Sequence, residues 1–327
     1  MKGFFIAGVV SLLLGISIFQ GELKAAEPFP AKPIIFIAPY EAGTDADILI
    51  RPLCKRVSAL LGKPLMTVYK PGAGSSIGYR ELRDAKPDGY TIGWVGSTII
   101  ANKLQGILPF DHEAFTLLGT YATITPVVVG ATKSVRPFKT IEEVLAFAKA
   151  HPEEVSIATA AVGQNWWIAA MAFQAGTGLK FNMVLQPGTG AYVMAQVAGG
   201  HTDLGVTGLA SPKAQVDAGN ARLLAIFGSK RAPAPYDNVP SFKEIGYDIL
   251  WEAVQAVMGP SKMPKEITEK LATAFETAAN EPEFRKFVAE QNCMPFYLGP
   301  DQFLRFLNEQ KVVCRSIMGK AGILKEK

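Results

Sequence analysis

Apolar runs of strand length alternate with segments of helical spacing along most of this chain. Residues 33–39 (PIIFIAP) form a short continuous apolar run, the pattern of a strand buried on both faces. Residues 45–61 follow with helical spacing and stop at Gly62 and Pro64. The same reading places strands at 65–69, 90–95, 125–130, 155–158, 182–185, 203–206 and 223–227. Between them it places helices at 75–86, 140–150, 164–175, 189–198 and 211–218. The 140–150 helix carries a capping box, with Thr140 at the cap and Glu143 three residues on. After Pro260 the pattern is mostly helical, at 264–279, 283–291 and 300–320, with a strand near 295–297.

This alternation predicts an α/β chain with open, mostly parallel sheets and helices on both faces. Two sheets are expected, one from about residues 27–124 and one from 125–251. The C-terminal helices need a surface to pack on. Their return to the first sheet makes that lobe discontinuous (27–124 and 252–327), joined to the second by two crossings near Thr125 and Trp251. Two adjacent crossings form a hinge.

The first 26 residues read as an address. Lys2 precedes an uncharged apolar run from Phe4 to Phe19, and the small residues Ala25 and Ala26 precede Glu27 and Pro28. The run is nearer the length of a signal-peptide core than the ~20 residues of a spanning helix. A cleaved signal peptide and a periplasmic mature protein are expected. Export permits disulfides: Cys293 and Cys314 could pair, while Cys54 lies in an apolar helical pattern and reads as a buried small hydrophobe.

Composition narrows the function classes. The chain has 327 residues, 49% hydrophobic and 19% charged, enough apolar matter for a core and too much for disorder. The net charge is +4 with no basic run, which disfavours nucleic-acid binding. The three cysteines have no metal-site spacing and His112, His151 and His201 lie far apart. G-x-S-x-G, H-E-x-x-H and C-x-x-C are all missing, so no catalytic residue, metal site or cofactor is assigned.

Candidate chemistry lies in glycine-containing turns from strand to helix, where unpaired N–H groups and the helix dipole favour anions without Lys or Arg. The first turn holds Tyr40, Gly43, Thr44, Asp45, Ala46 and Asp47; Thr44 or Asp45 could equally be a plain helix cap. Residues 70–78 have the spacing G-x-G-x-x-x-G, one residue too long for a dinucleotide fingerprint, and read better as a tight turn. Gly163, Gln164, Asn165 and Trp166 open a helix, and of the adjacent Trp166 and Trp167 one should face a cleft. Pro187-Gly188-Thr189-Gly190 opens another but lacks the Lys of a phosphate loop. Ser97, Thr98 and Thr207 complete the candidate set.

The order and spacing of several segments carry a resemblance. They are Lys32-Pro33; Pro39-Tyr40 with Gly43, Asp47 and Arg51; Pro71-Gly72-Ala73-Gly74 with Ile77-Gly78; Pro87-Asp88-Gly89-Tyr90-Thr91; Gly199-Gly200 with Asp203; and Val239-Pro240-Ser241-Phe242 with Glu244 and Gly246. Together they resemble the Bug (TctC-type) substrate-binding proteins of tripartite tricarboxylate transporters. The resemblance implies a two-lobed periplasmic binding protein fold of type II, a small carboxylate held in the cleft and a membrane permease as partner. It gives binding roles to the 40–47 loop and to Gly163–Trp166, with Asp47 orienting its loop rather than touching an anion. Thr44 stands where the family often has a second Gly, and Gln164, Asn165, Trp166 and Trp167 replace small residues and a His. Two Trp could stack on an aromatic body or narrow the pocket for a short acid. A diffusing shuttle is expected to be a monomer. The rival readings are a ligand-presenting sensory module with the same fold, an exported α/β hydrolase or lyase, and a cation binder, the last opposed by the lack of clustered oxygen ligands.

Overall fold

A computed structural model describes residues 28–187, 190–228, 230–232 and 234–325. The expected signal peptide lies outside them. The chain runs β1 (Ile34–Ala38), α1 (Asp45–Leu61), β2 (Leu65–Tyr69), α2 (Ser76–Asp84), β3 (Thr91–Gly96), α3 (Thr98–Leu104) and β4 (Phe115–Ile124). It continues as β5 (Pro126–Ala131), α4 (Ile141–Ala150), β6 (Ser156–Ala160), α5 (Asn165–Thr177), β7 (Asn182–Gln186), α6 (Gly190–Ala198), β8 (Leu204–Gly208), α7 (Lys213–Asp217) and β9 (Ala221–Ile226). It closes with β10 (Ala253–Pro260), α8 (Lys265–Asn280), α9 (Pro282–Glu290), β11 (Met294–Pro295) and α10 (Pro300–Lys320).

These strands form two sheets, in the orders β11-β4-β10-β3-β1-β2 and β7-β6-β8-β5-β9. Both are mixed, not mostly parallel. β1 runs parallel to β2 and β3, and β6 parallel to β7 and β8, but β10 is antiparallel to β3 and β4, and β5 to β8 and β9. The cause is the crossings. β4 leaves the first sheet and passes through Thr125 straight into β5, and the returning chain re-enters as β10, which fits only between β4 and β3 and against their direction.

β4, β10 and α3 are absent from the periodicity reading. All eight residues of β10 are buried, so its sequence AVQAVMGP shows no alternation. Gly119 interrupts β4 at φ 133°, and the β4–β10 register shifts twice, which blurs a period of two. The C-terminal helices do pack on the first sheet, α8 against β4 and α1, while α10 also touches α5. Among the described residues no helix is long and apolar enough to cross a membrane.

The cysteine expectation is corrected. All three thiols are free and buried. Cys293 Sγ donates to the Gln291 carbonyl at 3.5 Å on the approach to β11, and Cys314 is wholly enclosed on the inner side of α10, so each is committed to its own packing. Burial pushes the Cys314 thiol up to about 12.

The two crossings are tied together. Thr125 Oγ1 donates to both carboxylate oxygens of Glu252, at 3.3 and 3.4 Å. Burial raises the Glu252 pKa to about 7, against the lowering effect of Thr123 and Thr125. The folded state therefore holds a proton that the unfolded chain releases near its ordinary value of 4.5. Its contribution to stability is complete below about pH 4.5 and is lost as the pH rises through 7. The window is worth roughly 3–4 kcal/mol at ~1.4 kcal/mol per pH unit. Glu252→Gln is expected to melt higher than the wild type at pH 8 and to match it at pH 5. Equal melting temperatures at pH 8 would refute a strained carboxylate at the crossing.

Candidate functional site

The carboxyl ends of β1, β3 and β6 point toward a narrow cavity of about 50 Å³ between the two sheets. Tyr40, Thr44, Asp45 and Ala46 reach it from the β1–α1 connection, with Ser75, Trp94, Ile124 and Gln255 from the same side. Ala160, Gln164, Asn165 and Trp166 close it from the second sheet. Both Trp166 and Trp167 are buried, and Trp166 is the one at the cavity.

The loop after β1 is held by one carboxylate. Asp47 Oδ2 accepts from the Gly43 N–H at 2.7 Å and from Arg51 Nε at 2.8 Å, and Oδ1 accepts from the Tyr69 hydroxyl at 2.7 Å. Burial pushes its pKa up, but the hydrogen bonds from Arg51, Gly43 and Tyr69 outweigh this and hold it below the usual range. Thr44 caps α1, its Oγ1 accepting from the Asp47 N–H at 3.3 Å. Gly43, at φ +82°, turns the chain so that its N–H meets Asp47. Thr44 is thus a cap and a cavity residue at once. Gly43 and Asp47 do not line the cavity; they shape the loop from behind.

Asp45 differs from Asp47 in its partners and in the direction of its pKa shift. It lines the cavity, among the described residues no Lys or Arg pairs with it, and the Ser211 hydroxyl approaches both its oxygens, at 3.0 and 3.1 Å. Ser211 follows β8 of the other sheet, so this bond spans the two halves. Burial raises Asp45 to about 6, and Ser211 lowers it only in part. Among the described residues no Lys or Arg lines the cavity.

The second wall is the start of α5. Gln164 stands at its N-cap with no side-chain capping bond, and the first turn holds no acidic residue. Asn165 Oδ1 is enclosed and finds no partner among the described residues. The first N–H groups of α5 therefore open on the cavity with their partial positive charge uncompensated. At α1 the same charge is already answered by Asp45 and Asp47.

The remaining sequence candidates fall elsewhere. Gly163 is buried behind the cavity, where a Cβ would lie 2.7 Å from Asn102 Oδ1 across the cleft. Thr98 Oγ1 is taken by the Tyr79 hydroxyl. Ser97 and Thr207 are fully enclosed with unpaired hydroxyls, and neither lines the cavity. Residues 188–189 of the fourth glycine turn lie outside the described residues. The spacing of residues 70–78 does serve tight packing, since a Cβ on Gly78 would meet Pro39 Cβ at 2.6 Å.

Sequence reasoning missed Ser75, Trp94, Ile124, Ala160, Gln255 and Ser211. One signal was available, a lone Gln in the apolar run of β10. Trp94 Nε1 donates to Gln255 Oε1 at 3.0 Å, and the Tyr40 ring meets Trp94 edge-on at 5.3 Å, so one buried polar contact fixes two aromatic walls. Among the described residues no cluster of three His, Cys, Asp or Glu is placed to hold a metal ion.

Comparison with known proteins agrees with this architecture. Residues 49–323 match the model of the tripartite tricarboxylate transporter family receptor. Protein BugT of Bordetella pertussis is 26% identical over 325 residues, covering 96% of each chain. A solved periplasmic transporter superposes with a TM-score of 0.82 at 27% identity, over 91% of this chain and 100% of its own. R. palustris Rpa4515, solved with adipate, superposes with a TM-score of 0.83 at 23% identity, over 90% and 99% of the two chains.

Proposed function

This chain belongs to the tripartite tricarboxylate transporter receptor family, and from that premise we propose that it is a periplasmic receptor that captures a small organic acid between two lobes and delivers it to a membrane permease. The first lobe comprises residues 27–124 and 252–327, the second residues 125–251, and the paired crossings at Thr125 and Glu252 are the hinge. The protein acts as a monomeric binder, exported by its N-terminal 26 residues, and not as an enzyme. The adipate held by the related R. palustris protein supports an acid as cargo.

One observation carries this reading: a cavity walled from both sheets, lined by no Lys or Arg among the described residues, into which the uncompensated N-terminus of α5 opens. The ligand carboxylate meets the first N–H groups of α5 and the free amide of Gln164. A helix terminus contributes ~0.3–1 kcal/mol and each charge-assisted hydrogen bond ~1.5–3. Two or three such contacts in an enclosed site support micromolar affinity, about −8 kcal/mol, after association costs. Closure follows because only the closed form brings both walls to the ligand.

The test is a melting series of the chain without residues 1–26 against 1 mM mono-, di-, tri- and amino carboxylates. A ligand with a Kd near 10 μM stabilises by about 2.7 kcal/mol, which is several degrees. A panel in which no acid moves the midpoint would refute the proposal.

A further inference from the structure

The cavity is polar in two opposite senses. At one wall the first turn of α5 presents N–H donors and no acid. At the other, Asp45 sits on the first turn of α1, whose N-terminal charge is already met by Asp45 and Asp47 together. Among the described residues Asp45 has no cationic partner, and the single hydroxyl of Ser211 bonds both its oxygens. Nearby, Asn165 Oδ1 is a second acceptor, enclosed and without a donor. The rings of Tyr40, Trp94 and Trp166 also line the cavity and offer electron-rich surface to a cation. A plain dicarboxylate would set its second charge against Asp45, a like charge with no cationic partner among the described residues.

We propose that the ligand is bipolar, a short amino acid or a similar carboxylate bearing a protonated amine, with its carboxylate on α5 and its ammonium group on Asp45. This rests on the receptor reading above and names the substrate class of the same site. Asp45 is then the residue that sets specificity. The ammonium supplies the donor that Asn165 Oδ1 lacks, and it gives Asp45 the cationic partner that none of the described residues provides. Ser211 holds Asp45 in place from the opposite half, so the ammonium site is complete only in the closed form.

Matched pairs of acids test this by titration calorimetry at pH 7.5: propanoate against β-alanine, butanoate against 4-aminobutanoate, and succinate against aspartate. The wild type is expected to bind the amino member of at least one pair tenfold or more tightly than its partner. Asp45→Asn, which keeps shape and an acceptor for Ser211, should reduce that ratio to within twofold or invert it, and Asp45→Glu should preserve its direction. A common melting temperature without ligand establishes that the variants are folded. Wild-type protein that binds the amine-free members as well or better, with a ratio unmoved by Asp45→Asn, would overturn the inference and leave the receptor reading standing. If neither class binds the wild type, both fall together.

Discussion

Asp47→Ala is expected to lower stability by about 3 kcal/mol and ligand affinity by more than thirtyfold. The carboxylate is buried and accepts three hydrogen bonds, from Gly43, Arg51 and Tyr69. A typical bond contributes ~0.5–1.5 kcal/mol net, and ~1.5–3 where a charge is involved. Arg51 is largely exposed, so the pair with it is worth less than its 2.8 Å distance suggests. The loss of affinity has a separate origin. Once its N–H is released, Gly43 no longer fixes the turn at φ +82°, and Tyr40, Thr44 and Asp45 lose their common orientation. Denaturant melts and calorimetry on one preparation separate the two effects. Asp47→Asn, which retains an acceptor, should show roughly half of each. Wild-type affinity in Asp47→Ala would mean that the loop is held by something other than this carboxylate.

The second large effect is expected at Gly163. Its φ of +85° is strained for any L side chain, and a Cβ there would press to 2.7 Å of Asn102 Oδ1 and 3.3 Å of Ile107 Cδ1. Asn102 belongs to α3 beneath the first sheet, while Gly163 belongs to the β6–α5 connection of the second. Asn102 cannot step aside cheaply, because its Nδ2 donates to the Gly74 carbonyl at 2.7 Å. Gly163→Val therefore obstructs the approach of the two halves more than it disturbs either. Affinity should fall at least a hundredfold, and small-angle scattering should find no compaction when ligand is added. Gly43→Val is the comparison: its φ is +82° but its Cβ meets nothing within 4 Å, so it carries backbone strain alone. A Gly163→Val protein that still compacts with ligand would show that the cleft closes without this contact.

Much of this architecture could be read from local pattern. β1, α1 and the turn between them are written in one apolar run, one cap and one glycine, all within thirty residues. The loop carrying Gln164, Asn165 and Trp166 was legible for the same reason. What escaped the reading depends on distant partners. Trp94 and Gln255 are 161 residues apart, and Asp45 and Ser211 are 166. No spacing rule connects such pairs; only the return of β10 between β3 and β4 brings the first pair together. The local reading put the starts of α1 and α5 in one class, glycine-containing turns that could bind an anion. They differ because Asp45 faces the cavity while Asp47 faces the loop, a distinction of side-chain direction that composition does not encode.

The central place of β10 has a consequence for how the molecule is made. Its neighbours β3 and β4 end 157 and 129 residues before it begins, and they have no direct pairing with each other. The smaller sheet, by contrast, is assembled entirely from residues 126–226. The middle of the chain can therefore organise while synthesis continues, whereas the larger sheet must wait for its keystone to arrive from near the end. A nascent chain stopped before residue 253 would hold a finished smaller sheet beside a split, sticky one, a substrate for chaperones and not yet a receptor.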